Sequence, residues 1–181
     1  MRLFTAVDLP DDVKAALDSF LKRLRPAAKL SWSPVENLHI TTKFIGEWPE
    51  TRLPEMKHAL AAVPVSGAID ITVKGIGWFP NEHRPRVFWA GIHGGETLRT
   101  LAQNTDQTVA KLGVPVEHRA YSAHLTLARI RETVPLDSLR HVLRDLPSGC
   151  GFDFGAFRAT QFSLYVSAGG KYTRLAAFPL E

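Results

Sequence analysis

The sequence predicts a mixed fold in which helices and strands are layered together. Roughly four segments show the helical period of apolar residues, and they interleave with segments of the alternating strand period. No low-complexity linker separates them. The 181 residues are 45% hydrophobic and 22% charged, the composition of a globular protein with enough chain for one sizeable core or two small lobes. These observations predict an α/β or α+β layer fold.

Prolines and glycines mark the boundaries of the predicted elements. Pro10 opens the first helix and Pro54 lies in the first turn of the second, where a missing backbone N–H is tolerated. Gly46 ends a β-rich run, Gly94 precedes the third helix, and the pair at 169–170 joins the last two strands. In chain order we expect a strand at 2–7, a helix at 10–25, a strand at 38–45, a helix at 50–63, strands at 69–78 and 86–92, a helix at 96–112, a strand at 123–130, a helix at 135–146, and strands at 152–157, 160–167 and 172–178.

Composition restricts the partners and the compartment. Lys and Arg total 22 against 18 acidic residues, and 14 of the 22 are Arg, whose planar fork matches phosphate. A net charge of +4 is equally an ordinary solubility charge, so charge alone does not identify the partner. No apolar run reaches the roughly 18–20 residues that span a bilayer, and the N-terminus lacks the pattern of a signal peptide. The lone Cys150 excludes an internal disulfide and a cysteine-based zinc cluster and has no evident role. We expect a cytoplasmic monomer without a membrane partner.

A short internal repeat carries more information than the rest of the chain. Residues 38–42 read Leu-His-Ile-Thr-Thr and residues 123–127 read Ala-His-Leu-Thr-Leu, each within a β-rich run. The two histidines, His39 and His124, are 85 residues apart, close to half the chain. A duplicated lobe with one His-x-Thr strand per lobe would produce this spacing, although a repeat this short also arises by chance.

The repeat has chemical meaning because side chains at i and i+2 of a strand share a face. His39 is therefore expected beside Thr41, and His124 beside Thr126. If the two polar faces meet across one cleft, two imidazoles and two hydroxyls surround a shared ligand. Imidazole titrates near neutrality, so one histidine can act as a base and the other as an acid, while hydroxyls donate to an oxyanion. This set suits in-line displacement at phosphorus and requires no metal or other cofactor.

With these residues the chain resembles the two-histidine (2H) phosphoesterase superfamily, whose signature is a pair of His-x-Thr-x (HxTx) motifs. More narrowly it resembles the RNA 2′,3′-cyclic phosphodiesterases, also called the LigT-like or 2′-5′ RNA ligase group. The similarity includes the opening Arg2-Leu3-Phe4-Thr5-Ala6-Val7-Asp8-Leu9-Pro10, the run Arg86-Val87-Phe88-Trp89-Ala90-Gly91-Ile92, and the stretch from His124 to Arg129. It covers most of the chain.

The resemblance implies a fold, an activity and a set of site residues. The fold is an α+β, bilobal, pseudo-two-fold domain over residues 1–181, with two intertwined lobes whose antiparallel sheets face a central cleft and carry helices outside. The implied hydrolase opens 2′,3′-cyclic phosphate on RNA to a 2′-phosphomonoester and can ligate reversibly, with RNA ends bearing a cyclic or 2′-phosphate as partners. His39 would be the proton donor and His124 the proton acceptor. Thr41, Thr126 and Arg129 would bind phosphate, and Phe4 would stack on a base.

Plainer interpretations remain for several of these residues. A lone histidine in a strand is often a buried, hydrogen-bonded residue, Arg129 is placed to pair with Glu132, and Phe4 is suited to the core. Lys43 is expected on the face opposite His39, as solvated surface. Thr42 and Ala123 depart from the family, which has an apolar residue and a proline there. The run Gly75-Ile76-Gly77 predicts a strand bulge or bend rather than a dinucleotide site.

Two rival functions stay open beside hydrolysis of RNA ends. The same residues would serve a phosphodiesterase acting on a small cyclic phosphate. A module that binds RNA ends without turnover would account for the basic charge, but would leave both histidines unexplained.

Overall fold

A computed structural model describes residues 1–146 and 152–181 and contains two antiparallel sheets. Sheet A has the order β3-β1-β8-β9 and sheet B the order β2-β6-β5-β4-β7. The strands are β1 (Arg2–Asp8), β2 (Ser31–Trp32), β3 (His39–Glu47), β4 (Ile69–Phe79), β5 (Val87–His93), β6 (His124–Arg129), β7 (Asp153–Ala159), β8 (Gln161–Ala168) and β9 (Lys171–Pro179). The predicted α+β class with two antiparallel sheets is confirmed. Among the strands of the described residues, the two-residue β2 was not predicted.

Each α-helix begins and ends close to its predicted bounds. The helices are α1 (Asp11–Leu24), α2 (Leu53–Ala61), α3 (Gly95–Ala110) and α4 (Asp137–Asp145), with short 3₁₀ turns at Arg25–Ala27, Val35–Asn37 and Glu50–Arg52. Pro10 stands immediately before α1 and Pro54 in the first turn of α2, as their missing N–H groups allow. No helix in the described part of the chain is long and apolar enough to cross a bilayer.

Helices cover the outer faces of the sheets, and two of them pack on the sheet to which the preceding strand does not belong. Helix α1 follows a strand of sheet A but packs on β7 of sheet B, where Val13 lies against Gly155. Helix α3 follows a strand of sheet B but packs on β3 of sheet A. One cluster of buried apolar side chains runs through both layers and includes Leu17, Ile40 and Leu125. The apolar face of each His-x-Thr strand is thus buried in the core, and this burial fixes the strand that carries the polar side chains on its other face.

Both His-x-Thr strands are interrupted by a β-bulge immediately after the threonine. On β3, Thr5 pairs with Lys43 and Ala6 with Thr41, so Thr42 is the extra residue. On β6, Trp89 pairs with Thr126 and Phe88 with Ala128, so the extra residue is Leu127. A bulge reverses the alternation of side chains beyond it, because one residue is added without a partner.

Lys43 corrects one of the sequence expectations. It lies on the expected face, opposite His39, but it does so because the extra residue Thr42 reverses the alternation. Helix α3 covers that face, so the side chain is buried and not solvated. Its ammonium group donates to Asp106 Oδ1 at 2.6 Å and to the Pro115 carbonyl at 2.9 Å. Thr42, the departure from the family pattern, is also buried, and its hydroxyl shares a 2.7 Å hydrogen bond with the Thr5 hydroxyl.

Two turn predictions based on glycine are confirmed. The register of β4 against β5 shifts between Val73 and Ile76, and Gly75 there has φ +86°, which favours glycine. Gly169 and Gly170 have φ +58° and +76° and form the turn between β8 and β9. Cys150 lies outside the described residues.

Candidate active site

His39 and Thr41 lie on the inner face of β3, where a cross-strand pair sets the position of the imidazole. Asp8 at the end of β1 pairs with His39. The Nδ1 atom of His39 is 3.1 Å from the Asn37 carbonyl oxygen, and the ring packs against Tyr165 with centroids 4.5 Å apart. Only 7% of the His39 side chain is exposed. The first histidine is therefore held in one orientation on three sides.

His124 and Thr126 occupy the corresponding positions on β6. The Nδ1 atom of His124 is 3.0 Å from the Ser122 carbonyl oxygen, and the edge of the Phe79 ring meets the imidazole at 5.3 Å between centroids. Thr126 pairs with Trp89, whose ring lies over Gly77. A Cβ at Gly77 would approach that ring within 2.1 Å, so glycine is required for the indole to lie flat there.

Both imidazoles are oriented by the same kind of contact with the backbone. In each motif Nδ1 faces the carbonyl of the residue two positions earlier, Asn37 for His39 and Ser122 for His124. A carbonyl only accepts, so Nδ1 carries the proton in the neutral ring. The lone pair of the neutral ring is consequently on Nε2 in both histidines. This tautomer leaves Nε2 as the ring nitrogen able to exchange a proton with a ligand.

The structure brings the two motif strands together. Strands β3 and β6 approach each other between the sheets, and the Tyr121 hydroxyl just before β6 donates to the Thr41 carbonyl at 2.8 Å. Burial raises the pKa of Tyr121, so this donor stays protonated. On the other side of β6, the Ser33 hydroxyl donates to the Thr126 carbonyl at 2.8 Å. The backbone of each threonine is thus fixed from outside its own strand.

Burial has the largest effect on the pKa of His39. Desolvation lowers the pKa of His39 below its ordinary value, while the Asn37 carbonyl and the Asp8 carboxylate act in the opposite direction. Nε2 of His39 is 3.5 Å from Oδ1 of Asp8. Tyr165 donates to the same carboxylate, and burial together with this bond raises the pKa of Tyr165. Arg174 Nη1 lies 3.4 Å from the other Asp8 oxygen.

The bulges bring a further residue of each strand to the inner face. By strict alternation the third residue after each threonine would face away from it, but the added residue returns Phe44 and Arg129 to the side of Thr41 and Thr126. Phe44 lies 6.2 Å from the Phe4 ring and is 71% exposed. Arg129 is exposed and pairs with Val87, two residues from the partner of Thr126. Arg129 makes no ion pair with Glu132 within residues 1–146 and 152–181.

Phe4 lies beneath the site rather than at its surface. It is buried and its ring stacks on Tyr165 at 5.4 Å, with Tyr172 edge-on at 4.9 Å. This placement fits the core alternative for Phe4. Near Phe4 the exposed rings are Phe44 and Tyr172, which is 39% exposed, and the Phe79 ring beside the histidine of the second motif is 37% exposed. Neither Phe44 nor Tyr172 was predicted as a site residue. The sequence shows only that each is an aromatic residue within a predicted strand.

Sequence reasoning also missed the polar group formed by Asp8, Tyr165 and Arg174. These residues are distant in the chain, and only the order β3-β1-β8-β9 assembles them. Among residues 1–146 and 152–181, no group of three or more His, Cys, Asp or Glu is placed to hold a metal ion. The five histidines outside the motifs do not join the pair. The imidazole of His141, for example, lies 3.2 Å from Asp145 on exposed α4.

Comparison with known proteins gives concordant results in sequence and structure. The sequence model described as LigT like Phosphoesterase matches residues 7–89 and 93–171. The chain is 32% identical over 167 residues to a Methanocaldococcus jannaschii protein named RNA 2′,3′-cyclic phosphodiesterase, covering 92% of this chain and 91% of that protein. A crystal structure from Thermus thermophilus is similar with a TM-score of 0.78 and 32% identity, covering 99% of this chain and 98% of the other. Escherichia coli LigT complexed with 3′-AMP is similar with a TM-score of 0.74 and 26% identity, covering 99% and 97%.

Proposed function

The chain belongs to the LigT-like phosphoesterase family of the 2H phosphoesterases, and we propose that it hydrolyses 2′,3′-cyclic phosphate at RNA ends to 2′-phosphomonoesters. The observation that carries this proposal is the matched pair of imidazoles. His39 and His124 each hold Nδ1 on a backbone carbonyl and keep Nε2 for proton transfer. The names of the relatives supply the substrate class, and two such groups supply the acid and base that ring opening needs.

The proposed reaction is an in-line displacement at phosphorus. Nε2 of neutral His124 takes a proton from water as the water oxygen bonds to phosphorus. The bond from phosphorus to the 3′-oxygen breaks, and that oxygen takes the proton from Nε2 of cationic His39. The products are a 2′-phosphomonoester and a free 3′-hydroxyl. The bound phosphate anion favours the cationic form of His39, against the effect of burial.

Phosphate recognition is proposed for the groups that share the inner faces with the histidines. Thr41 and Thr126 would each donate a hydroxyl hydrogen bond to a nonbridging oxygen, and Arg129 would add a charge-assisted one. Hydrogen bonds to charged groups contribute about 1.5–3 kcal/mol each. The bulge after Thr126 supports this role for Arg129, because it turns the arginine to the same side.

Base recognition is proposed for the exposed aromatic rings. Phe44 and Tyr172 present open ring surface beside Phe4, and Tyr172 is 5.9 Å from the His39 ring. Stacking on an aromatic ring is worth about 1–3 kcal/mol per base and tolerates any sequence. Phe4 supports these rings from below, and its direct contact with a base stays a prediction.

Other features of the enzyme stay proposals of the same kind. They are independence from metal and cofactor, reversible 2′-5′ ligation, the single domain over residues 1–181, the monomeric state and the cytoplasmic location.

The test is hydrolysis of a short RNA ending in 2′,3′-cyclic phosphate, in EDTA, by wild type and by variants with one histidine replaced. His39→Asn and His124→Asn should each lose about 10²–10⁴-fold in kcat, and the double variant should lose little more than either single variant. His141→Asn is the matched control, because His141 is exposed on α4, and it should retain wild-type activity. The product should be the 2′-monoester.

Other outcomes would redirect the assignment. RNA bound without turnover would support an end-binding module. Turnover of a cyclic mononucleotide but not of RNA would support a small cyclic phosphate as substrate. Full activity of His124→Asn would refute the two-histidine mechanism.

A further inference from the structure

The two histidines differ at Nε2 although they match at Nδ1. Nε2 of His39 lies 3.5 Å from a carboxylate oxygen of Asp8. In the described ranges, 1–146 and 152–181, no carboxylate lies within ion-pair distance of His124, whose neighbour is the Phe79 ring. The surroundings of the two rings therefore differ, with a carboxylate beside His39 and an aromatic ring beside His124.

The Asp8 carboxylate is held in place from two further strands. Tyr165 on β8 donates its hydroxyl to Oδ1, and Arg174 on β9 places Nη1 at 3.4 Å from Oδ2. Asp8 is also the direct cross-strand partner of His39. Residues of β1, β8 and β9 therefore hold the Asp8 carboxylate near Nε2 of His39. The contact of His39 Nδ1 with the backbone does not depend on this arrangement.

The groups that face His39 in the described ranges differ in charge. Asp8 is negative, and Arg174 behind it and Lys14 on α1 are positive. Tyr165 and Tyr172 contribute neutral rings, 4.5 and 5.9 Å from the imidazole between centroids. Lys14 and burial disfavour the imidazolium, and Asp8 is the side chain that favours it. Asp8 therefore acts on the pKa of the ring in the direction opposite to burial, which has the larger effect.

We propose that Asp8 is a positioning residue that makes His39, and not His124, the proton donor of the pair. This assignment rests on the proposed function. Asp8 stabilises the His39 imidazolium, and Nε2 delivers its proton to the 3′-oxygen as the bond from phosphorus to that oxygen breaks. Asp8 itself transfers no proton in this step. His124, which has no such partner among the described residues, accepts the proton of water.

The first test is an NMR titration of the imidazole resonances in the free protein. Asp8→Asn keeps the shape of the side chain and removes its charge, so it should move the His39 titration to lower pH and leave that of His124 in place. Arg174→Gln removes the positive charge behind Asp8 and should move the His39 titration to higher pH. Asp70→Asn, at an exposed ion pair with Arg158, is the matched control and should move neither. An unmoved His39 titration in Asp8→Asn overturns the proposal.

The second test asks which proton transfer Asp8 serves. In Asp8→Asn the alkaline limb of the pH profile of kcat should move to lower pH, with a loss of roughly tenfold above it, since an opposite charge at this distance shifts a pKa by about one unit or more. The same RNA end with sulfur as the 3′ bridging atom needs no acid, because a thiolate leaves unprotonated. On that substrate the losses of Asp8→Asn and His39→Asn should shrink, while the loss of His124→Asn should persist.

The outcomes separate this proposal from the function on which it rests. A rescue of His124→Asn by the sulfur substrate, with none of Asp8→Asn, would reverse the roles of the histidines and overturn the proposal. Absence of turnover by wild type would instead refute the proposed substrate, and the NMR titrations would still report on Asp8. The sulfur comparison is made within each variant, so partial misfolding of Asp8→Asn cancels between the two substrates.

Discussion

Removal of the Lys43 ammonium should destabilise the protein far more than removal of an exposed lysine. Lys43 is 7% exposed and Asp106 15% exposed, and the ammonium also satisfies the Pro115 carbonyl. Lys43→Met keeps the apolar stem but leaves a largely buried carboxylate without its counter-ion. Breaking a buried pair in this way costs about 3–5 kcal/mol. Asp106 keeps the Glu117 amide as a donor, so we expect the lower end of that range.

The loss is measurable by urea unfolding followed by circular dichroism. With a urea dependence of about 2 kcal/mol/M, a loss of about 3 kcal/mol lowers the unfolding midpoint by about 1.5 M. Lys22→Met is the matched control, because Lys22 is 70% exposed and pairs with Asp18 on the solvent-facing side of α1. Such surface pairs contribute about 0.3–0.5 kcal/mol.

A double variant separates the ion pair from simple loss of packing. Lys43→Met combined with Asp106→Leu removes both charges, and it should recover most of the lost free energy of unfolding. A loss below about 1 kcal/mol in Lys43→Met would refute the reasoning, since a solvated lysine behaves in that way. A double variant no more stable than Lys43→Met would show that the unpaired carboxylate is not the cause.

Three further outcomes follow from the described contacts. Phe44→Ala should raise KM for the cyclic-phosphate RNA about tenfold or more and leave the unfolding midpoint nearly unchanged, because Phe44 is 71% exposed. Thr42→Val should lower the free energy of unfolding by about 1–3 kcal/mol, because the buried Thr5 hydroxyl loses its partner; replacing both threonines by valine should restore much of it. The depressed pKa of His39 stabilises the fold above its unfolded pKa of about 6.5, and this contribution is lost as pH falls through the folded value. The stability advantage of wild type over His39→Asn, measured by urea unfolding, should therefore shrink between pH 7.5 and 5.

The alternation of polar and apolar residues along the chain predicted which strand residues face the core. The alternation around His39 and His124 placed histidine and threonine on one face and Ile40 or Leu125 on the other, and burial of those two apolar residues agrees. Covering of the opposite face by α3 depends on tertiary packing, which is why Lys43 looked solvated. The residues that surround Asp8 could not be found in this way either, because Tyr165 is 157 positions away and Arg174 is 166.

The bulges explain how two similar strands present different chemistry to one ligand. Each inserts one residue directly after the threonine, so the third residue beyond it returns to the inner face in both strands. That position is Phe44 in the first motif and Arg129 in the second. An aromatic ring suits a base and a guanidinium suits a phosphate. Under the proposed function Phe44 would therefore contact a base and Arg129 would add charge for the phosphate, which Thr41 and Thr126 would bind from both strands. Under the proposed function the repeat would supply matched acid–base groups, and the different residues beyond the two bulges would orient a cyclic phosphate between them.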